Sequence, residues 1–369
     1  EYYFSNISKA WQQKAGELQR TRLERNALTE NIPEIMVMEE MKQRRPAYIL
    51  ERGVYDNYGA EVQPDVPAAI LPFGKDLPKN RLGLAKWLMD PQNPLTARVV
   101  VNRYWQTYFG TGLQKNADNF GNQGGMPSHP ALLDWLAVRF RESGWNVRAM
   151  QKLIVLSATY RQSSYTSPEL LKKDPENILL ARGPAFRLTA EMVRDAALTA
   201  SGLLSPAIGG ASVKPYQPEG VWAVNSEVYP RDTGSALYRR SLYTFWRRTN
   251  PPPSMSTFDA PMRSSCTVQR QKTSTPLQVL VLLNDPQFVE AAKVLAEHAL
   301  ANDNTVDGRI LYCYRALTAR TPSAKEKDIL GNLYAAEYEK FKKQPAKMSG
   351  WLTAGEYKIK PGKDLQALA

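Results

Sequence analysis

Histidine and cysteine are scarce, with only His129, His298, Cys266 and Cys313 in 369 residues. Two cysteines are too few for a disulfide framework and two histidines too few for a histidine-rich metal site, so no metal is expected. The spacing of Cys266 and Cys313 leaves their pairing open. No CxxCH motif is present, so this chain carries no residues for haem attachment and no cofactor of its own is expected. Long apolar runs are missing too. The best candidate, LQVLVLLN from Leu277 to Asn284, is far shorter than the roughly 18 residues of a membrane span. GxSxG, GxxxxGK, strand-borne GxGxxG and HExxH motifs are absent, which removes the best-marked serine hydrolase, phosphate-loop, dinucleotide and zinc-protease readings. The chain opens on Glu1 without a charged-then-apolar leader, as expected if a targeting segment was removed or if it is part of something longer.

What is present is a well-mixed globular composition, 43% hydrophobic and 23% charged, with a net charge of +12. Such a balance excludes disorder and favours anionic partners. The excess is concentrated. Between Arg231 and Lys272 stand eight basic residues, seven of them arginine, against Asp232 and Asp259 alone.

Hydrophobic periodicity gives a mainly α fold. Phe4, Ile7, Trp11, Ala15 and Leu18 form a stripe on a long first helix that is expected to dock as an outer helix. IMVMEE and PAYILERGVYD alternate as a small β-hairpin across the turn MKQRR. Proline and glycine then crowd residues 59–79 as a linker, so the main boundary is set there, giving 1–79 and 80–369. From Arg81 onward four helical segments, ending with one capped by Asn146, are expected to form a bundle; the 111–127 loop, with Gly112, Gly121, Gly124 and Gly125, interrupts it. A further helix starts behind Thr189. The stretch from Tyr216 to Met262 is irregular, aromatic and arginine-rich, with one strand expected in RRSLYTFWRR, before a closing helical array.

Three constellations carry chemistry. Arg239, Arg247, Arg248, Arg263 and Arg270 are interleaved with Tyr238, Tyr243, Phe245 and Trp246. Arginine forks grip sulfate, carboxylate or phosphate bidentately and stack on rings, so an anion-binding face is one reading; pairing with the chain's own carboxylates is the other. Nucleic acid also wants arginine and rings, but no recognition motif accompanies them, so it is not expected as a partner. Asn102, Arg103 and Trp105 share a helix, followed by Asp118 in the loop and His129 at the next helix start, where the ring can act as acid or base or merely cap. Glu191, Arg194 and Asp195 share one helix face, a spacing that suits a salt-bridge network more than a pair flanking a scissile bond.

The segments NPLTARVVVNRYWQTYFG, SHPALLDWLAVRFRESGW, LIVLSATYRQSS, AEMVRDAALTASGLL, FDAPMRSSCTVQRQKTSTPLQVLVLLND and YRALTARTPSAKE resemble the PSD-type proteins of planctomycetes and related bacteria, from Asn80 to about Glu326. That C-terminal domain is one of unknown function. The resemblance implies an exported, cell-envelope protein whose haem c, if any, belongs to a cytochrome c region upstream of this chain. It also implies a domain that continues beyond DLQALA.

The resulting expectation is a binding or accessory module engaging an anionic glycan or an envelope partner protein through Arg103, Arg194, Arg239, Arg247, Arg248, Asp259 and Arg270. The alternatives are a hydrolase acting on glycan or ester, with His129, Asp118 and Glu191 as acid and base candidates, and a structural subunit of an envelope assembly.

Overall fold

The structure, a computed structural model, describes residues 2–223, 228–362 and 364–368. It is mainly α and divides into two compact units, Glu1–Asp90 and Pro91–Ala369.

In the first unit, α1 (Tyr2–Asn6) precedes α2 (Lys9–Glu30), which Ser8 caps. No side chain of α2 is buried, so it does not dock as expected; Trp11 and Leu18 are half exposed and the side chain of Phe4 lies outside the described ones. The reason is visible in the spacing of Leu18, Leu23 and Leu28. Steps of five residues turn each leucine about 140° round the helix from the last, so no apolar face persists. The hairpin exists with one of its expected strands: β1 (Ala47–Leu50), within PAYILERGVYD, pairs antiparallel with β2 (Tyr58–Val62), Tyr48 opposite Glu61, while IMVMEE stays outside it. α3 (Arg81–Leu88) starts at Asn80, whose side chain accepts from the Gly83 N–H. The proline-rich stretch packs on it: Trp87 Nε1 donates to the Leu71 carbonyl at 2.9 Å, and a Cβ on Gly83 would strike the Pro78 carbonyl.

The second unit holds a core between α4 (Thr96–Phe109), α5 (Pro130–Glu142) and α6 (Val147–Val155), made by Val101, Trp105, Leu133, Leu136, Phe140, Met150 and Ile154. The bundle therefore has three of the expected four helices, the fourth being α3 of the first unit. Short α7 (Pro168–Lys173) leads to α8 (Ala190–Ala200), capped by Thr189. The chain then runs irregularly through 3-10 turns at Gly234–Tyr238 and Ser241–Tyr243 and through α9 (Pro253–Thr257). Residues 224–227 of this stretch lie outside the described ones.

No strand forms at 239–248; only single bridges join Ser205 to Arg239 and Val213 to Thr244. The carbonyls of Leu237 and Arg239, which a ladder would use, accept instead from the buried Arg194 guanidinium.

α10 (Pro276–Asn284), α11 (Pro286–Asn302), α12 (Val306–Thr318) and α13 (Ala324–Lys343) complete the helical array, followed by α14 (Ser349–Thr353) and α15 (Leu365–Leu368). α11 is its axis and buries Glu290, Lys293 and Glu297 among its aliphatic residues. Lys293 Nζ donates to the carbonyls of Leu352, Ala354 and Tyr357, at 3.2, 2.6 and 3.0 Å. Glu290 accepts from the Tyr357 N–H and the Tyr238 hydroxyl. Gly355, at φ 74°, lies so close that a Cβ there would sit 2.2 Å from the Glu290 carboxyl carbon.

Candidate functional site: a cleft rimmed by arginine

α4 ends at Gly110, whose φ of 82° only glycine adopts without strain. A Cβ at that position would approach the Phe186 ring to 2.8 Å, so the glycine also lets that ring close on the helix end. The following loop is tied down from inside the core. Fully buried Asn102 accepts from the Gln114 N–H at 2.8 Å and donates to its carbonyl at 3.0 Å. Gln114 Nε2 then donates to the Gly125 carbonyl at 2.9 Å, fixing the far side of the loop. Asn102 thus ties the loop to α4, and its neighbour Arg103 is left pointing outward.

Beside this frame opens a cleft of about 1800 Å³, walled by α4, the start of the glycine loop, residues 175–191 and residues 267–272. It contains five cations, Arg103, Lys115, Arg182, Arg270 and Lys272, against two carboxylates, Glu176 and Glu191. Both carboxylates are already paired: Lys115 meets Glu176 and Arg270 meets Glu191, each at 2.7 Å. Burial pushes the Glu191 carboxyl up, but the hydrogen bond and charge of Arg270 and its own backbone N–H outweigh that and hold it below its ordinary value. Arg182 donates to the carbonyls of Asp174 and Pro175. Lys272 Nζ lies 4.3 Å from the centre of the Phe186 ring, its pKa pulled down by burial and then by neighbouring Arg187. The guanidinium of Arg103, exposed on the α4 wall, has no partner among the described residues.

Of the ten residues singled out from sequence, three line this cleft: Arg103, Glu191 and Arg270. The others are elsewhere. Arg194 is buried and donates to Gln287, Leu237, Arg239 and Ser241, with Asp195 at 3.8 Å; burial lowers it to about 10, still cationic at neutral pH. It holds the irregular segment to α8 and α11 instead of facing a ligand. Arg239 is likewise engaged, donating to the Ala211, Ala207 and Gly209 carbonyls and lying 3.8 Å above the Tyr243 ring. Arg247 stacks 4.8 Å from the Trp222 ring, and Arg248 is exposed away from the cleft. Asp259, in the left-handed region at φ 60°, accepts from Arg187 and from the Thr273 N–H and hydroxyl, so it anchors the chain leading to the cleft wall. The arginine-aromatic interleaving noted in the sequence is therefore largely internal stacking.

The acid and base candidates do not meet. His129 sits at the start of α5 with Nδ1 3.1 Å from Ser128 Oγ, and Asp118 is exposed in the loop; neither lines the cleft. Cys266 and Cys313 are both free thiols. Among the described residues no group of histidine, cysteine and carboxylate side chains has the makings of a metal site. Sequence reasoning missed Lys115, Arg182 and Phe186, which lie in loops with no periodicity to mark them. The one signal was glycine, since Gly110 and Gly183 sit where backbone or ring approaches too closely for a side chain.

The family model for PSD1, a protein of unknown function (DUF1553), matches residues 80–334, and the chain belongs to that family. No curated protein and no solved structure matches the chain. Every residue of the cleft falls within the matched region.

Proposed function

We propose that this chain is a binding module that takes an acidic or sulfated glycan strand in the cleft between α4, α8 and residues 267–272. The observation that carries the reading is Arg103. An exposed arginine on a cleft wall, without a carboxylate beside it and facing a rim with Arg270 and Lys272, is a fork held ready for a bidentate anion. The cleft volume exceeds the roughly 300–1,000 Å³ of small-molecule pockets, which suits an extended ligand. Half-buried rings of Tyr104, Phe109 and Phe186 offer apolar faces for sugar rings. Binding is favoured over turnover because only Glu191 of the three acid and base candidates reaches the cleft, and it is ion-paired there.

Calorimetric titration of sulfated and neutral oligosaccharides tests this. Wild type is expected to bind the sulfated series alone, with affinity falling as salt rises. Arg103→Ala should weaken binding on the order of tenfold, a loss of about 1.4 kcal/mol. The Arg247→Ala, Arg248→Ala double variant should bind as wild type. Equal affinity for the neutral series, or an unaffected Arg103→Ala, would overturn the reading.

A further inference from the structure

Within the second unit, α10 is a regular helix whose apolar surface is largely uncovered. This helix is well formed, with Pro276 in its first turn and a capping box between Thr275 and Gln278. Yet it is buried along one narrow stripe only. Gln278 is enclosed and donates to the Thr257 carbonyl at 3.0 Å, and Val281, one turn on, packs against the Met255 and Phe258 cluster. The remaining apolar residues face out: Leu277 is 64% exposed, Val279 55%, Leu280 52%, Leu282 42% and Leu283 51%. At 100° per residue these five positions cover more than half the helix circumference. Single exposed leucines are ordinary, but five such residues on nine consecutive positions form a contiguous apolar knob of the kind that marks an interaction site.

Shape and charge together narrow what covers it. A nine-residue helix is only about 13 Å long, and five half-exposed aliphatic side chains fall well short of the roughly 800 Å² per partner that a stable protein interface needs. A flat protein face would also cover one side of the knob and leave the others wet. A fluid apolar medium closes round all of them.

The approach to the helix is basic. From residue 260 to residue 284 the chain carries Arg263, Arg270 and Lys272 and no carboxylate. Arg187 adds a fourth cation, against Glu191 and Asp259 paired to Arg270 and Arg187, so four positive groups stand against two negative. Met262 and Val268, 51% and 45% exposed, add apolar surface to the same run. Cations beside an apolar projection suit anionic headgroups above acyl chains.

We propose that α10 is a membrane-docking element that seats in the interface of an anionic phospholipid bilayer. No described helix is long and apolar enough to cross a membrane, and α10 would lie at the headgroup boundary.

The full chain is tested against phosphatidylcholine vesicles with and without phosphatidylglycerol. A Leu280→Trp reporter is expected to shift its emission to the blue and to be quenched by acyl-brominated lipid, even at high salt, only where phosphatidylglycerol is present. Replacing Leu280 and Leu283 together by Glu should lower the vesicle-bound fraction on the order of tenfold or more, while the melting temperature holds because both side chains are exposed. Three outcomes overturn the proposal. One is absence of quenching in every lipid. Another is vesicle binding that survives the Glu pair and vanishes with salt, which is adsorption by the rest of a basic chain. The third is a dimer in sedimentation velocity that the Glu pair dissolves without any effect of lipid, which makes a second copy the cover of α10.

Discussion

The carboxamide of Asn102 and the peptide group of Gln114 exchange two hydrogen bonds inside the core, at 2.8 and 3.0 Å, joining α4 to the loop that follows it. Replacing Asn102 by Ala strands the Gln114 N–H and carbonyl away from water. Each orphaned group costs about 1–3 kcal/mol, so a loss of about 2–4 kcal/mol is expected in thermal or urea unfolding. Asn102→Asp keeps the acceptor but sets a carboxylate against the Gln114 carbonyl. It should be no better than Ala.

Arg194 is the second internal anchor. Arg194→Met leaves acceptors on Leu237, Arg239, Ser241 and Gln287 unmet, and a loss of about 3–5 kcal/mol is expected by urea denaturation. Arg194→Lys should recover little. One ammonium cannot reach four acceptors spread over residues 237–241 and α11 as the planar fork does.

Gly110→Ala tests the cleft wall. The new methyl meets Phe186 at 2.8 Å and the backbone at φ 82° becomes strained, so stability should fall by more than about 1 kcal/mol. Because Phe186 carries Lys272, the same variant should weaken sulfated-ligand binding, read by calorimetry against Arg103→Ala.

Acid should loosen residues 260–273. For Glu191 and for Asp259, burial pushes the carboxyl up, but hydrogen bonds and charge, from Arg270 for the first and from Thr273 and Arg187 for the second, bring each below its ordinary value. A carboxylate with a depressed folded pKa contributes stability that is present above the unfolded value, near 4, and is lost as pH falls through the folded value. The protection of this segment against hydrogen exchange, taken relative to the intrinsic amide rate at each pH, is therefore expected to be steady from neutrality to about pH 5 and to fall below about 4. Glu191→Gln should raise exchange already at neutral pH and flatten part of that dependence. An exchange profile without any acid limb would contradict the anchoring role of both pairs.

Much of the helical framework was readable because its apolar residues recur at helical spacing and its ends carry their caps: Asn146 and Thr189 each accept the expected N–H. The failures have physical causes. A strand was expected at 239–248 because its residues alternate, but alternation describes side chains and says nothing of where the carbonyls go, and a buried Arg194 from another element took them. The arginine-aromatic stretch pointed to a ligand face because stacking on a ligand and stacking on one's own rings look identical in sequence; Arg239 and Arg247 do the second. Arg103 and Arg270 were legible as candidates, while Lys115, Arg182 and Phe186, which complete the cleft, sit in loops whose meeting depends on the whole fold.

The grip of Lys293 and Glu290 on residues 352–357 carries the folding unit beyond the family match. The family match ends at residue 334, but a chain cut there would strip a lysine of three carbonyls and a glutamate of a backbone N–H while both lie within the helical array. Two buried ions of opposite sign would be left facing a groove emptied of its strap. An ammonium group on α11 thus requires an expressible fragment to reach at least some twenty residues beyond the limit that sequence likeness alone would choose.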